Sequence, residues 1–170
     1  MTKDQKIVAA GAASGVLAMI GGMIALACLW HVPESLGGLI ERIVYTLRAD
    51  AIAALPLLVG IIVVGNDRFL SEAIDPTLHK ESPATQINGR VVENTLQQYV
   101  LFLVGTLALC TVLAPADMAV IPAAVTVFVV ARLAFWIGYR IDPLYRAFGM
   151  AATGYLNLAI LSYVAWRVLV

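Results

Sequence analysis

Four long runs in this sequence carry at most one charged side chain each, and they constrain the fold more than any other feature. The runs cover residues 7–30, 94–116, 118–139 and 147–166. At about 1.5 Å of rise per residue, each is long enough to cross a hydrocarbon core of roughly 30 Å as a helix. Only 13% of the residues are charged and 61% are hydrophobic, whereas soluble domains have about 25% charged and 45–50% apolar residues. We therefore predict a protein that is integral to a lipid bilayer.

A fifth and weaker span is predicted at residues 51–65, where Pro56 interrupts the apolar run. Extending this span back to Leu47 would place Arg48 and Asp50 at the membrane interface. Residues 66–89 form a long polar loop in this interpretation, and residues 114–117 form a tight turn that makes its flanking helices an antiparallel hairpin. The predicted fold class is all-α, an integral membrane helical bundle of five spans.

The distribution of basic residues predicts how the bundle is oriented. Of eleven Lys and Arg residues, only Arg42, Arg48 and Arg167 fall on the side opposite the N-terminus. Because short cytoplasmic loops carry the excess of positive charge, the N-terminus is predicted to be cytoplasmic and the C-terminus outside.

Several classes of function are disfavoured. The eleven basic and eleven acidic residues balance, so no net field or basic stripe suggests a nucleic-acid partner. Cys28 and Cys110 lack CxxC spacing and are predicted to be buried thiols, while His31 and His79 are predicted on opposite sides of the membrane. No metal site is therefore expected. The pattern places no charge near the middle of a span and shows no inverted repeat, which disfavours a transporter.

Small residues form a stripe on the first span. Gly11, Gly15, Ala18, Gly22 and Ala25 recur at spacings of four and three, which places them on one helical face. Such stripes let two helix backbones approach closely in lipid. We predict that this face packs against another helix of the same or a neighbouring chain.

Two groups of polar residues lie inside predicted spans, where they are unfavourable without a partner or a cavity. They are Arg90, Asn94 and Gln97 on the third span and Arg132, Trp136 and Tyr139 on the fourth, each at positions i, i+4 and i+7. The hairpin brings both groups to one end of the bundle. Arginines with amide and phenol partners suit a small anion that carries carboxylates. Alternatively, the arginines extend to lipid headgroups while the aromatic side chains join an interfacial belt.

These two groups carry a resemblance to a known family. Residues 90–98, RVVENTLQQ, open one span, and residues 131–139, ARLAFWIGY, close the next, followed by Pro143 and Arg146. In order and spacing these motifs resemble those of MAPEG, the membrane-associated proteins in eicosanoid and glutathione metabolism. The resemblance implies a homotrimer of four-helix protomers, with glutathione held between subunits near the cytoplasmic face. Residues 49–170 would then form the MAPEG-like domain and residues 1–48 an added N-terminal helix and connection. A divergent, prokaryotic-type member would lie in the bacterial cell membrane.

The resemblance also implies roles for individual residues. Glutathione binding is implied for Arg68, Arg90, Asn94, Gln97, Arg132 and Tyr139. Arg146 resembles the arginine that stabilises the glutathione thiolate and is the implied catalytic residue, since a nearby guanidinium lowers a thiol pKa. Two positions depart from the family: Gln97 stands where Glu is usual, and Phe135 replaces a Tyr found in several members. Losing the Glu removes a charged acceptor for the glutathione amino group.

Two hypotheses follow. The first is a glutathione-dependent transferase or peroxidase that acts on lipophilic small molecules entering from the bilayer, without a metal. The second is a non-catalytic membrane protein of the same fold that binds another anionic ligand or has a structural role.

Overall fold

The computed structural model describes residues 1–33, 35–78 and 80–170, and the described chain is helical without a strand. His79 lies outside these residues. Within the described ranges the six α-helices are α1 (Lys3–Leu29), α2 (Leu39–Ala53), α3 (Leu55–Phe69), α4 (Pro83–Val112), α5 (Val120–Ile141) and α6 (Ala147–Leu169). Helices α2 and α3 together form one membrane-length segment, so the described chain has five candidate spans. The predicted all-α membrane bundle is confirmed.

The second span is longer than its sequence pattern indicated. It runs over Leu39–Phe69 and is divided at Ala54. Pro56 in the first turn of α3 cannot donate a backbone hydrogen bond, which explains the break. Arg48 is exposed, but Asp50 is 1% exposed, so its prediction as an interfacial residue is wrong. Asp50 lies about 16 Å along α2 from its first residue. The prediction that no charge-bearing residue lies deep in a span is therefore also wrong.

The polar connection between the second and third spans is shorter than the predicted loop at residues 66–89. Helix α3 continues to Phe69, and α4 already begins at Pro83. The side chain of Ser82 accepts a hydrogen bond from the backbone N–H of Thr85 at 3.1 Å, and proline suits the first helical position. Within the connection, two hydrogen bonds from Thr77 hold the pKa of the exposed Asp75 below its usual range.

The turn between α4 and α5 has the predicted form. A single 3-10 turn at Pro115–Asp117 separates the two helices, which makes them antiparallel neighbours. The five spans therefore alternate in direction. One end of the bundle, which we call the motif end, carries the N-terminus, the connection at residues 70–82 and the turn at residues 142–146. The far end carries the α4–α5 turn and the C-terminus.

Helix α1 packs on α5 and α6 of the same chain through the glycines of its small-residue stripe. A Cβ atom on Gly15 would lie 2.2 Å from the carbonyl oxygen of Phe148, so only glycine permits this approach. At Gly11 the nearest atom is the Cβ of Ala147 at 3.4 Å, and at Gly22 it is a methyl of Val127 at 3.2 Å. The predicted helix packing is confirmed for these glycines, while Ala25 at the end of the stripe is exposed.

The two cysteines differ in environment. Cys110 on α4 is buried, as predicted, but Cys28 is exposed. Helix α1 buries little of its surface, and Cys28 near its end lies away from the glycine contacts. The prediction of two buried thiols is wrong for Cys28.

Candidate functional site

Arg132 of α5 is the centre of the buried polar contacts at the motif end. Its side chain is 1% exposed, and its guanidinium donates to Asn94 Oδ1 at 2.9 Å, Thr95 Oγ1 at 3.0 Å and Thr153 Oγ1 at 3.1 Å. Its Cζ also lies 4.0 Å from the centroid of the Phe135 ring, a cation–π contact. Arg132 thus joins α4, α5 and α6, and its hydrogen bond to Oδ1 orients the Asn94 side chain.

Tyr139 lies about two turns further along α5, and two arginines lie near it. The Arg146 guanidinium carbon is 5.0 Å from the centroid of the Tyr139 ring. Arg90 of α4 lies near the same residue, close enough for its charge to act on Tyr139. Tyr139 is buried and both arginines are exposed, so their positive charges face the open side of this cluster. An anionic group bound there would meet two guanidinium groups and one phenol.

The chain turn that brings Arg146 to Tyr139 depends on Gly138. A Cβ atom on Gly138 would lie 2.8 Å from the carbonyl oxygen of Tyr145, so the glycine permits residues 142–146 to fold back onto α5. Asp142 stabilises this turn because its side chain accepts a hydrogen bond from the backbone N–H of Leu144 at 2.7 Å.

One face of α4 presents polar side chains beside this cluster. Arg90, Glu93 and Gln97 are exposed on it, and Asn94 is half-buried. The adjacent Gln98 points the other way: it is buried, and both its side-chain and backbone oxygens accept from Asn157 Nδ2, at 2.9 and 3.0 Å. Gln97 is therefore available to a ligand or a second subunit, whereas Gln98 holds α6.

Arg68 at the end of α3 is held by a different partner. Its Nε and a terminal nitrogen each lie 2.7 Å from Glu81 Oε1, which fixes the connection between α3 and α4. In the part of the chain that the structure describes, Glu81 is the hydrogen-bond and ion-pair partner of the Arg68 side chain, and not a residue of the cluster around Tyr139.

Trp136 also has a structural partner. Its Nε1 donates to Asn88 Oδ1 at 2.9 Å, and Asn88 Nδ2 donates to Asp67 at 3.0 Å, so α3, α4 and α5 are linked in series. A polar cavity of about 370 Å³ lies beside this link and is lined by Asp67, Asn88, Lys80 and Arg140. Arg140 thus faces a different space from its neighbour Tyr139.

Sequence reasoning missed several residues that complete this end of the bundle. Thr95, Thr153, Asn157 and Asn88 all lie within or at the start of spans and are buried. Their polarity inside apolar runs was a usable signal, but which arginine or amide each one meets depends on how α4, α5 and α6 dock. Among the described residues, no cluster of three His, Cys, Asp or Glu side chains could hold a metal ion.

Comparison with known proteins places this arrangement in a family context. The model of the MAPEG family matches residues 43–168. Transmembrane protein 79 of Bos taurus is 26% identical over 127 residues, which make up 75% of this chain and 31% of that protein. The Mus musculus protein of the same name is 25% identical over 127 residues, 75% of this chain and 32% of its own. This chain thus spans about a third of the length of these relatives. No solved structure matches it.

Proposed function

Because the chain belongs to the MAPEG family, we propose that it binds glutathione at the cluster of Arg90, Tyr139 and Arg146 and transfers it to lipophilic electrophiles. The observation that carries this proposal is the contact of the Arg146 guanidinium with the Tyr139 ring, with the charge of Arg90 close to the same residue. Glutathione is an anion with two carboxylates, and arginine pairs with carboxylates through two parallel hydrogen bonds. The open side of the cluster carries the positive charge that such a ligand requires.

In the proposed reaction, Arg146 stabilises the glutathione thiolate. A guanidinium close to the sulfur lowers the pKa of the thiol, so the thiol releases its proton to water at neutral pH. The Tyr139 hydroxyl can donate a hydrogen bond to the same sulfur. The thiolate then attacks the electrophilic carbon, and the leaving group departs with its bonding electron pair. Lipophilic electrophiles would reach this cluster from the bilayer around the spans.

The positively charged amino group of glutathione needs a negatively charged acceptor, which the neutral Gln97 cannot supply. Glu93 is exposed on the same face of α4, three residues after Arg90 and one before Asn94. We assign the ion pair with the amino group to Glu93. Glu93→Gln should then weaken glutathione binding, with a smaller effect on a glutathione analogue that lacks the amino group.

The proposed site also needs a second copy of the chain. In a single chain, Arg90, Glu93 and Gln97 lie exposed on a membrane-spanning helix, which is unfavourable against lipid. A homotrimer in which this face of α4 meets a neighbouring subunit would cover them. Light scattering on the purified protein in detergent should give a protein mass three times that of one chain.

Calorimetry with the purified protein tests the proposal. Glutathione should bind saturably at millimolar concentration, and Arg90→Ala should weaken binding by at least tenfold because a charge-assisted hydrogen bond is worth about 1.5–3 kcal/mol. Arg140→Ala is the matched control, since Arg140 is exposed at the same end but lines another cavity. Arg146→Ala should lose the ultraviolet absorbance of the thiolate while still binding glutathione. Absence of binding to the folded wild type would overturn the proposal.

A second candidate is a non-catalytic protein of the same fold that binds a different anion. It is favoured by the engagement of Asn94 Oδ1 with Arg132 and by the neutral Gln97. Absence of glutathione binding to the folded wild type, together with saturable binding of another carboxylate anion, would support this candidate over the transferase.

A further inference from the structure

Asp50 is a carboxyl group enclosed in the bundle, away from the motif end. It is 1% exposed, and its Oδ2 lies 2.8 Å from Thr106 Oγ1 on α4. Its Oδ1 has no hydrogen-bond partner among the described residues. The remaining carboxylates of the described chain are exposed or half-buried, so Asp50 is the one acid there that is fully removed from solvent. A buried carboxylate ion is highly unfavourable unless it is paired.

Either Thr106 or a protonated Asp50 can donate the hydrogen bond between them, and the direction of the Thr106 hydroxyl proton decides which one does. The Thr106 hydroxyl lies 2.9 Å from the carbonyl oxygen of Phe102 as well as 2.8 Å from Asp50 Oδ2. A threonine hydroxyl has one proton and two lone pairs, so it can donate fully to only one of these oxygens. If the proton goes to Phe102, the short contact with Asp50 requires a proton on the carboxyl group.

Two other threonines in the spans make the same contact with the carbonyl oxygen four residues earlier. Thr126 Oγ1 donates to the carbonyl oxygen four residues earlier at 2.8 Å, and Thr153 does the same at 2.9 Å. Thr153 is the closest parallel because its oxygen also accepts, at 3.1 Å, from Arg132, a group that can only donate. Thr106 has the same helical geometry, with Asp50 in the position that Arg132 occupies at Thr153.

No cation neutralises Asp50 in the described chain. Arg42 lies two turns earlier on α2 and donates to the carbonyl oxygen of Leu113, toward the far end. On α4, the ionisable neighbours are Tyr99, whose hydroxyl donates to the backbone oxygen of Asp50 at 3.3 Å, and Cys110. The only ionisable side chains of α5 are Arg132, Tyr139 and Arg140, all in the half of the helix nearer the motif end.

We propose that Asp50 is a proton-binding site inside the membrane bundle. Its carboxyl group is neutral at neutral pH and donates to Thr106 Oγ1, which in turn donates to the carbonyl oxygen of Phe102. The bound proton thereby ties α2 to α4. Ionisation would leave a buried carboxylate whose one available hydrogen bond, from Thr106, can form only if the hydroxyl turns away from the carbonyl oxygen of Phe102.

Infrared spectroscopy on protein with carbon-13 in the aspartate carboxyl groups tests the proposal directly. The other five aspartates are exposed or half-buried, so the wild type at pH 7 should show one isotope-sensitive band of a protonated carboxyl group. Asp50→Asn should remove the band, and Asp67→Asn, which changes a half-buried aspartate at the motif end, should leave it unchanged. Absence of the band from the folded wild type would overturn the proposal.

The thermal midpoint in detergent gives a second readout. When pH is raised from 7 to 9.5, the wild type should lose at least 5 °C more than Asp50→Asn, whose amide can donate to Thr106 at every pH. An equal loss in both proteins would overturn the proposal. A sodium-dependent rise of the midpoint in the wild type alone, with potassium as the control salt, would also overturn it by identifying Asp50 as a cation ligand.

Discussion

The two buried polar centres of this bundle are built around similar threonines but differ in what surrounds them. Thr153 accepts from Arg132, and Thr106 contacts Asp50, while each threonine lies 2.9 Å from the carbonyl oxygen four residues earlier. Arg132 has two further acceptors and reaches the half-buried Asn94, which opens onto the exposed face of α4. Asp50 keeps one unpartnered oxygen within the apolar core. The comparison separates a charged centre connected to the proposed glutathione site from a closed centre that we infer to be neutral.

Removing the charged centre should have the largest effect on stability. Arg132→Met deletes three hydrogen bonds to a charged donor and leaves buried acceptors unpaired. We expect the free energy of unfolding to fall by about 3 kcal/mol, allowing for the desolvation that is no longer needed. The thermal midpoint should fall by about 10 °C for a chain of this length. Asp50→Leu is the matched deletion at the other centre, and an equal loss there would contradict the distinction between the two.

Replacing Thr153 or Thr106 by valine removes one hydroxyl group from each centre, so the two losses of stability can be compared directly. Thr153→Val removes an acceptor from a guanidinium, and we expect a loss of about 2 kcal/mol in the free energy of unfolding. Thr106→Val removes an acceptor from a neutral acid, and the expected loss is about 1 kcal/mol. Chemical unfolding in mixed detergent micelles measures both. Thr126→Val, where the hydroxyl bonds only its own helix, controls for the loss of the backbone contact. A larger loss at Thr106 would mean that Asp50 carries a charge.

Asn94 connects the charged centre to the exposed face of α4. Asn94→Ala should therefore reduce glutathione affinity while changing the free energy of unfolding only modestly. Asn94→Ala removes one of the three acceptors of Arg132, but the site is half-buried and water can replace the lost oxygen. We expect a loss of about 1 kcal/mol in the free energy of unfolding. Glutathione affinity, measured by calorimetry, should fall about tenfold. A large loss of stability with unchanged affinity would show that Asn94 acts only within the core.

The sequence alone predicted those features that depend on a single helix. Helical spacing placed Arg90, Asn94 and Gln97 on one face, and apolar length located the spans. The same spacing could not show that Asn94 bonds Arg132 or that Trp136 bonds Asn88, because those contacts depend on how α4 and α5 dock. Asp50 was misplaced for a related reason. Arg48, two residues earlier, is charged and exposed, which is typical of an interfacial segment, whereas the buried partner of Asp50 is Thr106 on another helix.

The smallest effect on stability is expected at Gln97, where the proposed site departs from its family. Gln97 is exposed, so Gln97→Glu should change the free energy of unfolding by less than about 0.5 kcal/mol. The new carboxylate would lie one turn from Glu93 on the same face and could share the glutathione amino group with it. We expect calorimetry to show glutathione binding several-fold tighter. Gln86→Glu, an exposed change near the start of the same helix, controls for added negative charge. Weaker binding in Gln97→Glu alone would mean that this position faces a carboxylate of the ligand, which would reverse the orientation of glutathione between Arg90 and Arg146.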